Sequence, residues 1–150
     1  MNSKNNQNKT LRGYVHNEKF GPYCMPVVFQ NKLLKQYCDE RKINFALPQG
    51  EIVFSKSFIQ LRSLIEKLKH NEGIVMMSIF MLPQKSQDRN KILFNFINKK
   101  IECHFLFENV VAKNKKEYEY INNLINLNLY QKDNSKIFNW IKKNEIIKIS

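Results

Sequence analysis

The stretch EGIVMMSIFMLP, residues 72 to 83, has eight apolar residues among its twelve and no charge after Glu72. A membrane span takes roughly 20 consecutive apolar residues, so this run is too short to be one. Gly73 and Pro83 bound it at a length natural for a strand, and its lack of polar alternation means that both faces are covered. A central strand of a parallel sheet reads this way. Ser78, polar in an apolar run, is expected to hydrogen-bond locally near the strand's exit.

Outward from this strand, the chain alternates strand and helix. LRGYVH, from Leu11, reads as a first strand that stops at Asn17-Glu18 and Gly21-Pro22. Pro26 suits the first turn of a helix whose inner face is Phe29, Leu33, Leu34, Tyr37 and Cys38, ending near Arg41. INFAL, Ile43 to Leu47, is a second strand, with Pro48 to Glu51 as the loop after it. A second helix, capped by Ser55 or Ser57, carries Phe58, Leu61, Ile65 and Leu68. Beyond residue 83, Ser86 caps a third helix with Ile92, Leu93, Phe96 and Ile97 inside, and IECHFLF (Ile101 to Phe107) is a fourth strand. Asn114 with Glu117 makes a capping pair for a fourth helix carrying Ile121, Leu124 and Ile125.

This order predicts an α/β fold: an open, mainly parallel four-stranded sheet of order 2-1-3-4 with helices on both faces, followed by C-terminal helices. Residues 1–10 are polar and expected to be disordered, 11–130 form the α/β domain, and 131–150 form an amphipathic helical segment. That last segment, with Ile137, Phe138, Trp140 and Ile141 beside Lys136, Lys142 and Lys143, suits packing on the sheet or across a homodimer; an anionic membrane surface is the lesser alternative.

Composition narrows the partners. The net charge is +12, but Lys supplies 21 of the 25 cations and Arg only 4, beside 20 Asn and 16 Ile. That skew resembles the drift of an AT-rich genome, and Arg is the base-reading cation, so the charge is only weak evidence for a nucleic-acid partner, and none is expected. Neither a secretory signal nor a membrane span is legible, which predicts a cytoplasmic protein. Cys24, Cys38 and Cys103 are odd in number and lack paired spacing, so reduced thiols are expected, with no metal site. No GxGxxG, P-loop, HExxH or GxSxG occurs, and no cofactor is read.

In such a sheet, ligands bind at the carboxyl ends of the strands where the strand order reverses, here between the first and third. That edge receives His16, Asn17 and Glu18, with Phe20 and Tyr23 beyond them; Gln49 and Glu51; Ser78, Gln84 and Arg89; and Glu108 with Asn109. His16, Glu51 and Glu108 are the candidate acid–base groups, and Asn17, Tyr23, Ser78 and Arg89 the candidate ligand contacts. Such a group of residues suits an acid–base site or a small anionic ligand. Each residue has a plainer reading: His16 as a hydrogen-bonded strand end, Glu51 as a loop cap, and His104 as a satisfied core histidine. Arg89 lies in the first turn of its helix, where the macrodipole disfavours a cation, so an anionic partner is expected for it.

Several pieces together, RGYVH, VVFQNKLLKQYC, Glu51, EGIVMMSIFMLP, Arg89 and HFLFEN with its Glu108, resemble the bacterial sporadic carbohydrate cluster proteins over about residues 11 to 128. The resemblance implies a role in making or modifying a lipopolysaccharide, capsule or related glycan, acting on a sugar phosphate or nucleotide sugar, and no specified reaction. The layout is also similar to the catalytic domain of serine recombinases, whose first strand ends in Arg-x-Ser. Here His16-Asn17-Glu18 stands there instead, and only Arg89 follows the third strand, with Arg62 in the second helix. This likeness implies a resolvase-like, flavodoxin-like fold without the seryl nucleophile. It also brings a second reading, a non-catalytic module that uses its basic surface for nucleic acid or an acidic partner.

Overall fold

The computed structural model describes residues 9–54 and 56–143, apart from the side chains of residues 138, 141 and 142. The expected N-terminal tail through residue 8, the proposed Ser55 cap and the last seven residues lie outside that range. Strand β1 is Thr10–His16, followed by α1 (Val27–Glu40), β2 (Asn44–Glu51), α2 (Ile59–Lys67) and β3 (Glu72–Met76). A 3-10 turn, Ile79–Met81, leads to α3 (Ser86–Asn98), β4 (Cys103–Phe105), β5 (Val110–Ala112) and α4 (Lys115–Lys143).

The sheet has five strands in the order β2-β1-β3-β4-β5. The first four pair in parallel and β5 lies antiparallel on β4. The four-stranded expectation is therefore corrected by one strand, added at the edge beyond β4. β1 to β2 and β2 to β3 run in opposite directions across the sheet. With right-handed crossovers, α1 lies on one face and α2 and α3 on the other, which fits the direct contact between α2 and α3.

β3 is central, with β1 on one side and β4 on the other. It ends at Met76, however, and the rest of the apolar run leaves the sheet while staying buried. Ser78 is where the path turns: its hydroxyl donates to Glu108 Oε1 at 2.6 Å and accepts the Phe80 amide at 3.2 Å. Glu108 Oε2 takes the Ile79 amide at 3.1 Å. An unbroken strand through residue 82 is thus corrected, because the Glu108 carboxylate from the β4–β5 turn and the Ser78 hydroxyl accept the amides that a neighbouring strand would have met.

Other boundaries move for similar reasons. β2 runs on through Pro48 to Glu51, which an edge strand tolerates because one side of its backbone needs no partner. In α1 the buried residues are Gln30, Leu34 and Cys38, whereas Phe29 and Leu33 are exposed. Gln30 goes inside because its side-chain amide donates to the carbonyls of His16 and Met25, both at 2.7 Å. The capping pair at α4 forms as expected: the Glu117 amide donates to Asn114 Oδ1 at 3.1 Å and the Asn114 amide to Glu117 Oε2 at 3.3 Å. That helix is continuous through residue 131, burying Tyr118, Ile121 and Ile125 in its first half. All three cysteines are unpaired thiols.

Candidate functional site

A cavity of about 360 Å³ opens at the carboxyl ends of β1 and β2. Its wall comes from Tyr14, His16, Glu18 and Lys19 of β1 and the turn after it, from Glu51, Lys56 and Phe58 after β2, and from the segment Phe80–Lys85 with Asp88. β1 lies here between β2 and β3, so the cavity occupies the switch point of the sheet.

Tyr14 and His16 alternate onto one face of β1, two residues apart. Tyr14 is fully buried, and burial, aided by the Glu51 charge, drives its phenol far above the ordinary value. It stays protonated at any physiological pH. His16 stands edge-on between Tyr14, at 6.1 Å between ring centroids, and Phe20, at 5.4 Å. Burial lowers its pKa against the opposing pull of the Glu18 backbone and carboxylate, so the imidazole is neutral at pH 7. Tyr14 Oη and His16 Nδ1 are both buried without a hydrogen-bond partner in the protein. Buried polar atoms in native folds almost always have a partner, and a bare pair on a cavity wall marks where a bound molecule would supply it.

Glu51 is paired in register with His16 across β1 and β2 and is almost fully buried. Its carboxylate is already occupied. Oε1 accepts the amides of Gln60 at 2.7 Å and Leu61 at 3.2 Å, and Oε2 lies 3.1 Å from Ser57 Oγ. Glu51 therefore closes the amino end of α2, the work assigned from sequence to a serine. The residue just before the helix, Phe58, is left-handed, at φ 54°. The positive end of that helix faces the cavity, as does the first turn of α3 with Lys85 and Asp88.

The other expected site residues lie elsewhere. Ser78 and Glu108 bind each other and the turn after β3, and neither lines the cavity. Arg89 is fully buried, and the anionic partner expected for it is replaced by neutral oxygens: the carbonyls of Pro83 at 2.9 Å and Gln84 at 2.7 Å, Asn122 Oδ1 at 2.7 Å, and Asn126 Oδ1. Burial lowers its pKa, but from so high a value that it remains a cation. Arg89 thereby ties the cavity's own wall, Pro83 and Gln84, to α4. Asn17 is exposed, its side-chain amide reaching the Ile52 carbonyl at 3.4 Å, and Tyr23 packs on Phe107 at 4.6 Å between centroids. Neither lines the cavity.

Of the seven candidates, then, His16 and Glu51 come together at the cavity, and Ser78 and Glu108 come together outside it. Sequence reasoning passed over Tyr14, which strand alternation places on the face of His16, and the wall lysines Lys19, Lys56 and Lys85. Among the described residues, no group of three or more His, Cys, Asp or Glu is arranged to hold a metal ion, and no helix is long and apolar enough to cross a membrane.

No protein-family model and no curated protein matches the chain. Among solved structures, the N-terminal catalytic domain of TP901-1 integrase is similar, with a TM-score of 0.58 at 12% sequence identity, over 81% of this chain and 97% of that chain. At that identity the likeness is one of fold: the chain has a resolvase-like α/β architecture.

Proposed function

We propose that this chain binds a small phosphorylated carbohydrate in the cavity at the ends of β1 and β2, as a cytoplasmic participant in bacterial surface-carbohydrate biosynthesis. The observation that carries the binding site is the pair of unpartnered buried atoms, Tyr14 Oη and His16 Nδ1, on its wall. A hydroxyl-rich ligand offers both of them partners. Lys19, Lys56 and Lys85 offer an anionic group three cations at the mouth, beside the carboxylates of Glu18 and Asp88. At about 360 Å³ the cavity suits a sugar phosphate, and a nucleotide sugar would extend past the opening. The glycan pathway rests on the resemblance of RGYVH, EGIVMMSIFMLP and HFLFEN described above. In this reading Glu51 and Arg89 hold the walls, and Ser78 with Glu108 shapes the turn behind them.

Titrating the chain with sugar phosphates should raise its unfolding temperature saturably, as ligand binding to the folded state requires. Charge reversal of two wall lysines, Lys56→Glu with Lys85→Glu, should weaken the effect at least about tenfold, since each contact to an ionised group contributes about 1.5–3 kcal/mol. If no sugar phosphate or nucleotide sugar shifts the transition, the cavity is not a carbohydrate site.

The fold likeness to an integrase domain and the charge of +12 favour a second reading, a non-catalytic nucleic-acid or acidic-partner module. Binding to DNA or RNA that falls steeply between low and physiological salt, and is indifferent to Tyr14→Phe, would support it.

A contact between two copies of the chain through α4 is proposed with either reading. Leu127, Tyr130 and Ile137 are each more than half exposed and follow one another at three- and seven-residue steps, with Asn134 between them on the same stripe. Such spacing is that of a helix–helix seam, in which a polar Asn sets register.

A further inference from the structure

Beyond holding a sugar phosphate, the reading on which this inference rests, the cavity wall carries reactive groups of its own. Tyr14 and His16 stand side by side, their rings 6.1 Å apart and inclined at 71°. The other polar clusters of the fold are engaged among themselves: Ser78 with Glu108, Arg89 with Asn122 and Asn126, and His104 with Tyr37 and Glu102. Only on this wall do a buried imidazole nitrogen and a buried phenol, adjacent on one strand, both lack a partner among the described residues. Of the wall carboxylates, Glu51 is committed to the amides of α2, while Glu18 acts on His16 through its backbone and its charge.

We propose that the cavity interconverts aldose and ketose phosphates by proton transfer at the carbon beside the carbonyl, with His16 Nδ1 as the base and Tyr14 Oη as the donor to the carbonyl oxygen. The ligand binds in its open-chain form, its phosphate at the lysine-lined mouth. His16 Nδ1 takes the proton from the C–H next to the carbonyl. The electron pair of that bond becomes the new C=C bond, and the carbonyl π pair moves onto oxygen, held by the Tyr14 hydroxyl. The hydroxyl proton of the neighbouring carbon passes to that oxygen, the neighbouring C–O becomes the new carbonyl, and the imidazolium returns its proton to the original carbonyl carbon. Nothing is oxidised overall, and no co-reactant is consumed. The protonation states suit the roles, since burial keeps the imidazole neutral and the phenol protonated at neutral pH.

The test uses the full chain in D2O with glucose 6-phosphate, fructose 6-phosphate and ribose 5-phosphate, following deuterium incorporation by proton NMR, with thermal shifts recorded on the same samples. A sugar phosphate that stabilises the protein should gain deuterium at the carbon beside its carbonyl. His16→Gln should lower that rate by about 10²–10⁴-fold, the range of general-base contributions. Tyr14→Phe, which keeps the ring and its packing, should lower it about tenfold or more even at saturating ligand, beyond any weakening of the thermal shift. The rate should fall on acidification as His16 becomes protonated. Stabilisation by a sugar phosphate with no deuterium incorporation, or exchange that survives His16→Gln, overturns the proton-transfer inference and leaves the binding reading standing. No stabilisation by any of the three overturns the proton-transfer inference, and the binding reading falls with it if nucleotide sugars fail as well.

Discussion

The carboxylates of this protein differ in role according to which donors surround them, and Glu102 is the clearest case. It sits just before β4, with His104 Nε2 at 2.5 Å from Oε1, Lys9 on the same oxygen and Lys113 at 3.5 Å. Burial alone would raise its pKa, but the hydrogen bonds from His104 and Lys9 outweigh it and hold the carboxyl down to about 2. A carboxylate whose folded pKa is depressed contributes stability that is present above the unfolded value and lost as pH falls through the folded one. The unfolding free energy should therefore decline between about pH 5 and 2 by on the order of 3 kcal/mol at most, less the screening around half-exposed Lys9. Glu102→Gln should flatten that limb in denaturant titrations repeated across pH; an unchanged acid limb would show that the cluster is not its source. His104 belongs to the same cluster, with Tyr37 Oη at 2.7 Å from Nδ1, and is the satisfied core histidine its place in a strand suggests.

β3 holds the sheet together because strands pair with both of its edges, and the price of that position is visible at Gly73. A Cβ there would lie 2.6 Å from the Glu102 carbonyl oxygen and 2.8 Å from Leu11 Cδ2. The first contact is backbone of the adjoining chain and cannot swing aside. Gly73→Ala should destabilise the protein by about 1–3 kcal/mol, the usual cost of overpacking, measured by urea unfolding. A loss under about 0.5 kcal/mol would mean that the β3–β4 spacing relaxes easily, since changes of that size are typical of unconstrained surface sites. β5, by contrast, left little signal: three residues, Val110–Ala112, reached through a turn in which Asn109 has φ 52°. A strand so short has no periodicity to read, and it exists because β4 offers it an edge. α2 gives the same lesson, since the carboxylate closing its amino end arrives from β2.

Charge and shape are properties of the assembled chain. Among the described residues, Ile125 is the last fully buried core residue and Leu129 packs on the core, whereas Tyr130, Ile137 and Trp140, further along α4, are more than half exposed. Light scattering on the full chain should give a dimer mass, and truncation after residue 134 a monomer with its unfolding transition preserved. Equal masses for the two would remove α4 as the contact, and binding of the full chain alone to anionic liposomes would assign the helix to a membrane surface. Legible in the sequence alone were the alternation of strands and helices, the central place of the strand that opens at Glu72, and the edge at which polar groups collect. These follow from hydrophobic periodicity and turn chemistry, which act between neighbours along the chain. Folding alone decided which polar residues stay unsatisfied. Glu51, Glu108 and Arg89 looked like site residues because they are charged and near the right edge, but each meets partners 5 to 37 positions away that consume its hydrogen bonds. Tyr14, unmarked within LRGYVH, is left with a bare hydroxyl, because burial is a property of three-dimensional neighbours, and no local pattern records which of them carry a donor or an acceptor.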